Sequence, residues 1–82
     1  MTNDEILAVL SEIALDVLDP EDLEGFYLSI EALIEDIPKW DSLAHIGMIT
    51  QMEAAFSIRF SLEEMEELNS IRSIVETIKA KT

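Results

Sequence analysis

The sequence predicts an all-α protein, a four-helix bundle of three longer helices and a short third one, with a long ordered loop between the first two, in one domain spanning 1–82. Three observations predict it. Apolar residues recur at helical spacing in four separate stretches, helix-capping residues stand just before each stretch, and the 82 residues include only 2 Gly and 2 Pro to interrupt them. A chain this short buries about 60 to 65% of the surface it exposes when unfolded, so the core is small and a pocket for multistep catalysis is not expected. Hydrophobic residues make up 49% of the chain, which argues for a compact fold despite a formal net charge of -13.

The first helix is expected over about residues 3–17. Thr2 and Glu5 form a capping-box pattern, Ile6, Leu7, Val9, Leu10, Ile13, Ala14 and Val17 keep helical spacing, and Asp19-Pro20 closes the segment. The connection from Leu18 to Asp41 is too long to be structureless in a compact domain. Leu23, Phe26, Tyr27, Leu28, Ile30, Leu33, Ile34 and Ile37 supply anchors for it, and Ser29 to Ile34 suits a helical turn. Its acidic residues Asp19, Glu21, Asp22 and Glu24 lack the alternating ligands, central Gly and closing Glu of a calcium loop, so a solvated acidic surface is the better reading.

The second helix is expected from about Ser42 to Phe56, entered through Ile37-Pro38-Lys39-Trp40-Asp41. Pro38 fixes one backbone angle, and Asp41 and Ser42 both accept hydrogen bonds from free amides at a helix start. Between Leu43 and Phe56 the only formally charged residue is Glu53, so this helix should pack against several neighbours. Its inward arc is expected to be Ile46, Met48, Ile49, Met52 and Phe56, with Leu43 turning inward at the start. Gly47, at a cost of about 1 kcal/mol in helix propensity, either lets another backbone approach or leaves room for a ligand. Met48, Met52 and Met65 suit a core and equally suit a cavity that accepts variable chains.

Phe56, Ile58 and Phe60 alternate in a short extended bridge, and Ser61-Leu62-Glu63-Glu64 is a second capping box. The short third helix should turn Leu62, Met65 and Leu68 inward and its glutamates largely outward. Asn69 or Ser70 caps the fourth helix, with Ile71, Ile74, Val75 and Ile78 inward and Lys79 and Lys81 complementing its C-terminus.

Composition narrows function further. With no Cys and a single His45, neither thiolate chemistry nor a zinc site is expected. Eighteen acidic residues against 5 basic ones repel nucleic acid and anionic membranes and steer the chain toward basic protein surfaces. No signal-peptide lead and no apolar run of the ~18 residues a membrane span needs is evident, so a cytoplasmic protein is expected, a monomer by its charge. A serine at a helix mouth is ordinarily a cap, yet free amides and the positive helix end also suit a phosphate bonded to that side chain. His45, one turn on, either touches such a phosphate or a partner, or is a half-exposed surface residue. A hydrolytic triad of Asp41, Ser42 and His45 lacks the strained turn and oxyanion donors such serines use.

Asp41-Ser42-Leu43, preceded by Ile37-Pro38-x-Trp40 and followed by an apolar helix in a small acidic chain, resembles the acyl carrier proteins from about Asn3 to Ile78. The resemblance implies a non-catalytic carrier. Ser42 would bear a 4'-phosphopantetheine arm transferred from coenzyme A by a phosphopantetheinyl transferase, and the arm's thiol would hold acyl cargo as a thioester. Asp41 would cap the helix or assist the transferase's metal. Leu43, Met48, Glu53, Glu63 and Glu64 are the expected contacts for acyl-activating, condensing or acyl-transfer partners with basic docking surfaces. Fatty-acid synthesis members usually carry acidic residues where this chain has Ala44, Gly47, Ala54 and Ala55, so a specialised carrier is expected, serving fatty-acid, polyketide or related biosynthesis. The competing reading is an unmodified acidic helical adaptor for a basic protein, with Ser42 only a cap.

Overall fold

The computed structural model describes residues 2–18 and 28–82, and within them the chain is helical, with a 3-10 turn and no strand beyond one isolated bridge. In order these are α1 (Asn3–Leu18), the 3-10 turn Ile34–Asp36, α2 (Ser42–Phe56), α3 (Leu62–Glu67) and α4 (Ile71–Lys81). Leu23, Phe26, Tyr27 and the acidic stretch Asp19 to Glu24 lie outside the described residues, as does Pro20.

α1 starts where the capping box places it. The Glu5 amide donates to Thr2 Oγ1 at 3.2 Å and the Thr2 amide to Glu5 Oε1 at 2.9 Å. Its inner face includes one polar residue that periodicity does not single out. Ser11 is buried, and its Oγ accepts the Leu28 amide at 3.1 Å, tying the incoming loop to the first helix. The loop is then stitched to the start of α4: Leu33 pairs with Ser70, the Ile34 amide donates to the Asn69 carbonyl, and the Ile71 amide to that of Ala32. Those bonds displace the expected helical turn. Ser29 to Ala32 closes as a simple turn, the 3-10 turn follows at Ile34–Asp36, and Leu33 is exposed where an anchor was expected.

The core lies where α2 and α4 meet α1. Ile71, Ile74, Val75 and Ile78 of α4 are fully buried, as are Met48 and Met52 of α2 and Ile6 and Leu10 of α1. Gly47 faces the Val17 side chain, from which an added Cβ would stand 3.3 Å. Its bareness therefore serves side-chain packing between α1 and α2 and not the approach of a second backbone. Ser57 ends α2 in the left-handed region (φ 56°), and Phe56, Ile58 and Phe60 bury themselves along the linker to α3.

Ser61 and Glu64 complete the capping box of α3, and Ser70, not Asn69, caps α4. Leu62, expected inward, is 70% exposed because α3 packs through Met65 and the following Leu68. Lys81 turns back from the end of α4 to Glu64 (3.0 Å) and lies over the Phe60 ring. Accepting the Ser61 amide, then pairing with Lys81, holds the Glu64 carboxyl below the ordinary value of 4.5.

Two outcomes follow for stability. Ser11→Ala leaves the Leu28 amide without its acceptor and should cost about 1 to 3 kcal/mol in chemical denaturation. For Glu64 the lowered folded-state pKa means that the ionised form stabilises the fold above pH ~4.5, and that this is lost as pH falls through the lowered value. Gln preserves the capping geometry without the charge. The difference in Tm between the wild type and Glu64→Gln should therefore narrow on acidification below pH ~4.5.

Candidate functional site

Ile37 to Trp40 forms a tight turn with Pro38 at its second position and Lys39 at positive φ (69°), closed by the Trp40 amide on the Ile37 carbonyl. Trp40 is buried. The chain leaves the turn extended at Asp41, whose Oδ1 accepts the Ala44 amide at 2.8 Å and whose carbonyl accepts the His45 amide. Asp41 is thus the cap, and Ser42 is the first residue of α2, exposed to solvent. The Ser42 and Leu43 amides stand in the first turn, where an α-helix supplies no backbone acceptor, and point with the positive helix end toward the serine.

Beside Ser42 lies an open groove of about 550 Å³ between the first turn of α2 and α3. Trp40, Ile46, Leu62 and Met65 give it apolar walls, and Asp41, His45 and Glu66 its polar points. His45 spans the groove's base. The Trp40 indole N–H donates to His45 Nδ1 at 3.0 Å, and His45 Nε2 is 3.0 Å from the Met65 carbonyl. Both ring nitrogens are therefore engaged with the loop and α3. His45 is half-buried, and with both nitrogens so engaged it offers none to a phosphate or to a hydrolytic relay through Ser42. Periodicity gave no sign of this link, since Trp40 and His45 are five residues apart and belong to different elements.

The expected partner contacts separate. Leu43 is 81% exposed and Ile46 is 55% exposed, although both were expected to turn inward. With Thr50 and Ala54 they form an outward stripe that continues toward exposed Leu62. Met48 is fully buried, as its place on the inward arc predicts, so the partner contact also expected of it does not hold: a side chain with no exposed surface cannot touch a partner. Glu53 is half-buried, and its Oε2 accepts the Phe60 amide at 2.9 Å, which gives it a structural task. Glu64 is likewise engaged, by Ser61 and Lys81, whereas Glu63 is exposed. Among the described residues no helix is long and apolar enough to cross a membrane.

No protein-family model matches the chain, and no curated protein matches it. A solved structure does. The solution NMR structure of holo acyl carrier protein from Geobacter metallireducens superposes with a TM-score of 0.77 at 29% identity, over 92% of this chain and 83% of that one. That likeness extends over nearly the whole helical order, and the loop, cap and exposed serine stand in the arrangement described above. The chain thus has the fold of an acyl carrier protein and is similar to that protein over most of its length.

Proposed function

We propose that this chain carries acyl groups as thioesters on a 4'-phosphopantetheine arm attached to Ser42, and hands them to partner enzymes of a dedicated biosynthetic route. The observation that carries the reading is an exposed serine immediately after the Asp41 cap, at the amide-rich mouth of α2, in a chain whose structural neighbour is a holo acyl carrier protein. The site fits the group. The exposed hydroxyl is open to a phosphopantetheinyl transferase, the free amides suit a phosphodiester, and the groove beside it is apolar enough to shelter part of an arm or cargo. When bound, the arm supplies the thiol on which acyl groups ride.

The chain's own residues do the positioning. Asp41 holds the helix start and so the direction of the Ser42 side chain; being exposed, it is also open to the transferase's metal. Leu43, Ile46 and Leu62 offer partners an apolar footing, and Glu63 an acidic one. Fatty-acid synthesis members usually present acidic residues along this helix, whereas here the outer stripe is largely apolar. That supports a specialised carrier with activating, condensing or acyl-transfer partners whose docking surfaces combine basic and apolar groups.

Intact-mass measurement tests the attachment. With coenzyme A and a broad-specificity phosphopantetheinyl transferase, the wild type should gain one arm and Ser42→Ala none. A wild type of unchanged mass would instead favour an unmodified adaptor. Steering is tested separately by association kinetics. Exposed charges are screened over about 8 Å at physiological ionic strength, so the on-rate with a basic partner should fall as salt rises. A salt-independent rate would shift the recognition to Leu43, Ile46 and Leu62.

A further inference from the structure

The bond between Trp40 and His45 has only one consistent proton arrangement. An indole N–H can only donate and a carbonyl can only accept, so with Trp40 on Nδ1 and Met65 on Nε2 the imidazole is neutral, with its proton on Nε2. We propose that His45 is a proton-sensitive clasp: neutral, it holds Trp40 as a wall of the groove beside Ser42, and protonated at Nδ1 it lets that wall go. As a regulation of the Ser42 site, this rests on the carrier reading, while the clasp itself can be tested without it.

Imidazolium carries hydrogen on both ring nitrogens. The bond to the Met65 carbonyl survives protonation and gains charge, so α3 stays tied to α2. At Nδ1, however, two N–H donors would face each other across 3.0 Å with no acceptor between them. The rings are in tilted contact, with centroids 6.1 Å apart and planes inclined by 46°, but that contact gives the indole N–H no acceptor. Trp40, only 8% exposed, must then turn toward water to satisfy its N–H. The charged groups around the clasp are Asp41 and Glu66, which line the same groove from the loop and from α3, and Lys39, which precedes Trp40 in the turn. Imidazole is the side chain that ordinarily changes charge between about pH 5 and 8.

Trp40 is the only tryptophan, so emission excited beyond the absorption of Tyr27 reports on this wall alone. In the full chain, acidification from about pH 8 to about 5.5 should shift the emission maximum to the red while the far-ultraviolet helix signal stays constant. Two variants that do not titrate divide the clasp. His45→Asn can place its side-chain oxygen where Nδ1 stood, and should keep the blue emission across the range. His45→Gln can reach the Met65 carbonyl but not the indole, and should emit to the red even at about pH 8, without a transition. Ser42→Ala should keep the wild-type transition, so that failure of the clasp and failure of arm attachment read out separately. The proposal is overturned by a wild-type emission that does not respond to pH, by the same transition in His45→Asn, by blue emission in His45→Gln, or by helix loss in step with the emission change.

Discussion

The contact on which the site depends is the Asp41 carboxylate accepting the Ala44 amide at 2.8 Å. α2 is apolar around most of its circumference, so hydrophobicity alone does not decide which side faces the core. The starting residue decides it, because a shift of one position turns every side chain by about 100°. Beginning at Ser42, the helix buries Ala44, Met48, Ile49, Met52 and Phe56, and leaves Leu43, Ile46, Thr50 and Ala54 outside. One capping bond therefore determines both the packing of the bundle and the surface shown beside the serine.

The cap is held in turn by the loop before it. Ser11 receives the Leu28 amide, the segment around Leu33 pairs with the start of α4, and Trp40 enters the core from the turn at Pro38 and Lys39. The first two ties join residues far apart in sequence, so the described segment from Leu28 to Ile34 is held by α1 and by the start of α4. His45 adds a link of the same kind between the loop and α3, and the groove at Ser42 is the space that these links enclose.

Helix positions were legible because they are signalled locally. Thr2 with Glu5, Asp41, and Ser61 with Glu64 all cap where their residue types suggest. The facing of α2 is legible only in part: Met48, Ile49, Met52 and Phe56 are buried as their spacing predicts, whereas Leu43 and Ile46 face outward, since an all-round apolar helix carries no sharp stripe to mark the edge of its buried arc. Leu62 was misread because a six-residue helix is too short for its period to choose a face. Among the candidate site residues, the place of Ser42 could be read from Pro38, Asp41 and the helix that follows. The tasks of Glu53, Glu64 and His45 could not, because their partners are Phe60, Lys81, Trp40 and Met65, and spacing does not report such pairings.

These pairings also change how the acidity is understood. A net charge this large opposes a compact state through self-repulsion. Yet Glu5, Asp41, Glu53 and Glu64 each accept a backbone amide, so part of the negative charge stabilises helix starts and a linker. Carboxylates committed in this way are poor partner contacts, since docking would have to break a bond the fold uses. The field that steers a basic partner comes from all the charges at any distance within the screening length, but close contact must fall to groups the fold has left uncommitted. Around Ser42 the exposed side chains are chiefly Leu43, Ile46 and Leu62, with Glu66 lining the groove beside them. Long-range attraction and short-range fit are therefore assigned to different residues, and a change of partner specificity can arise in the apolar stripe without weakening the acidic field or the caps that hold the bundle.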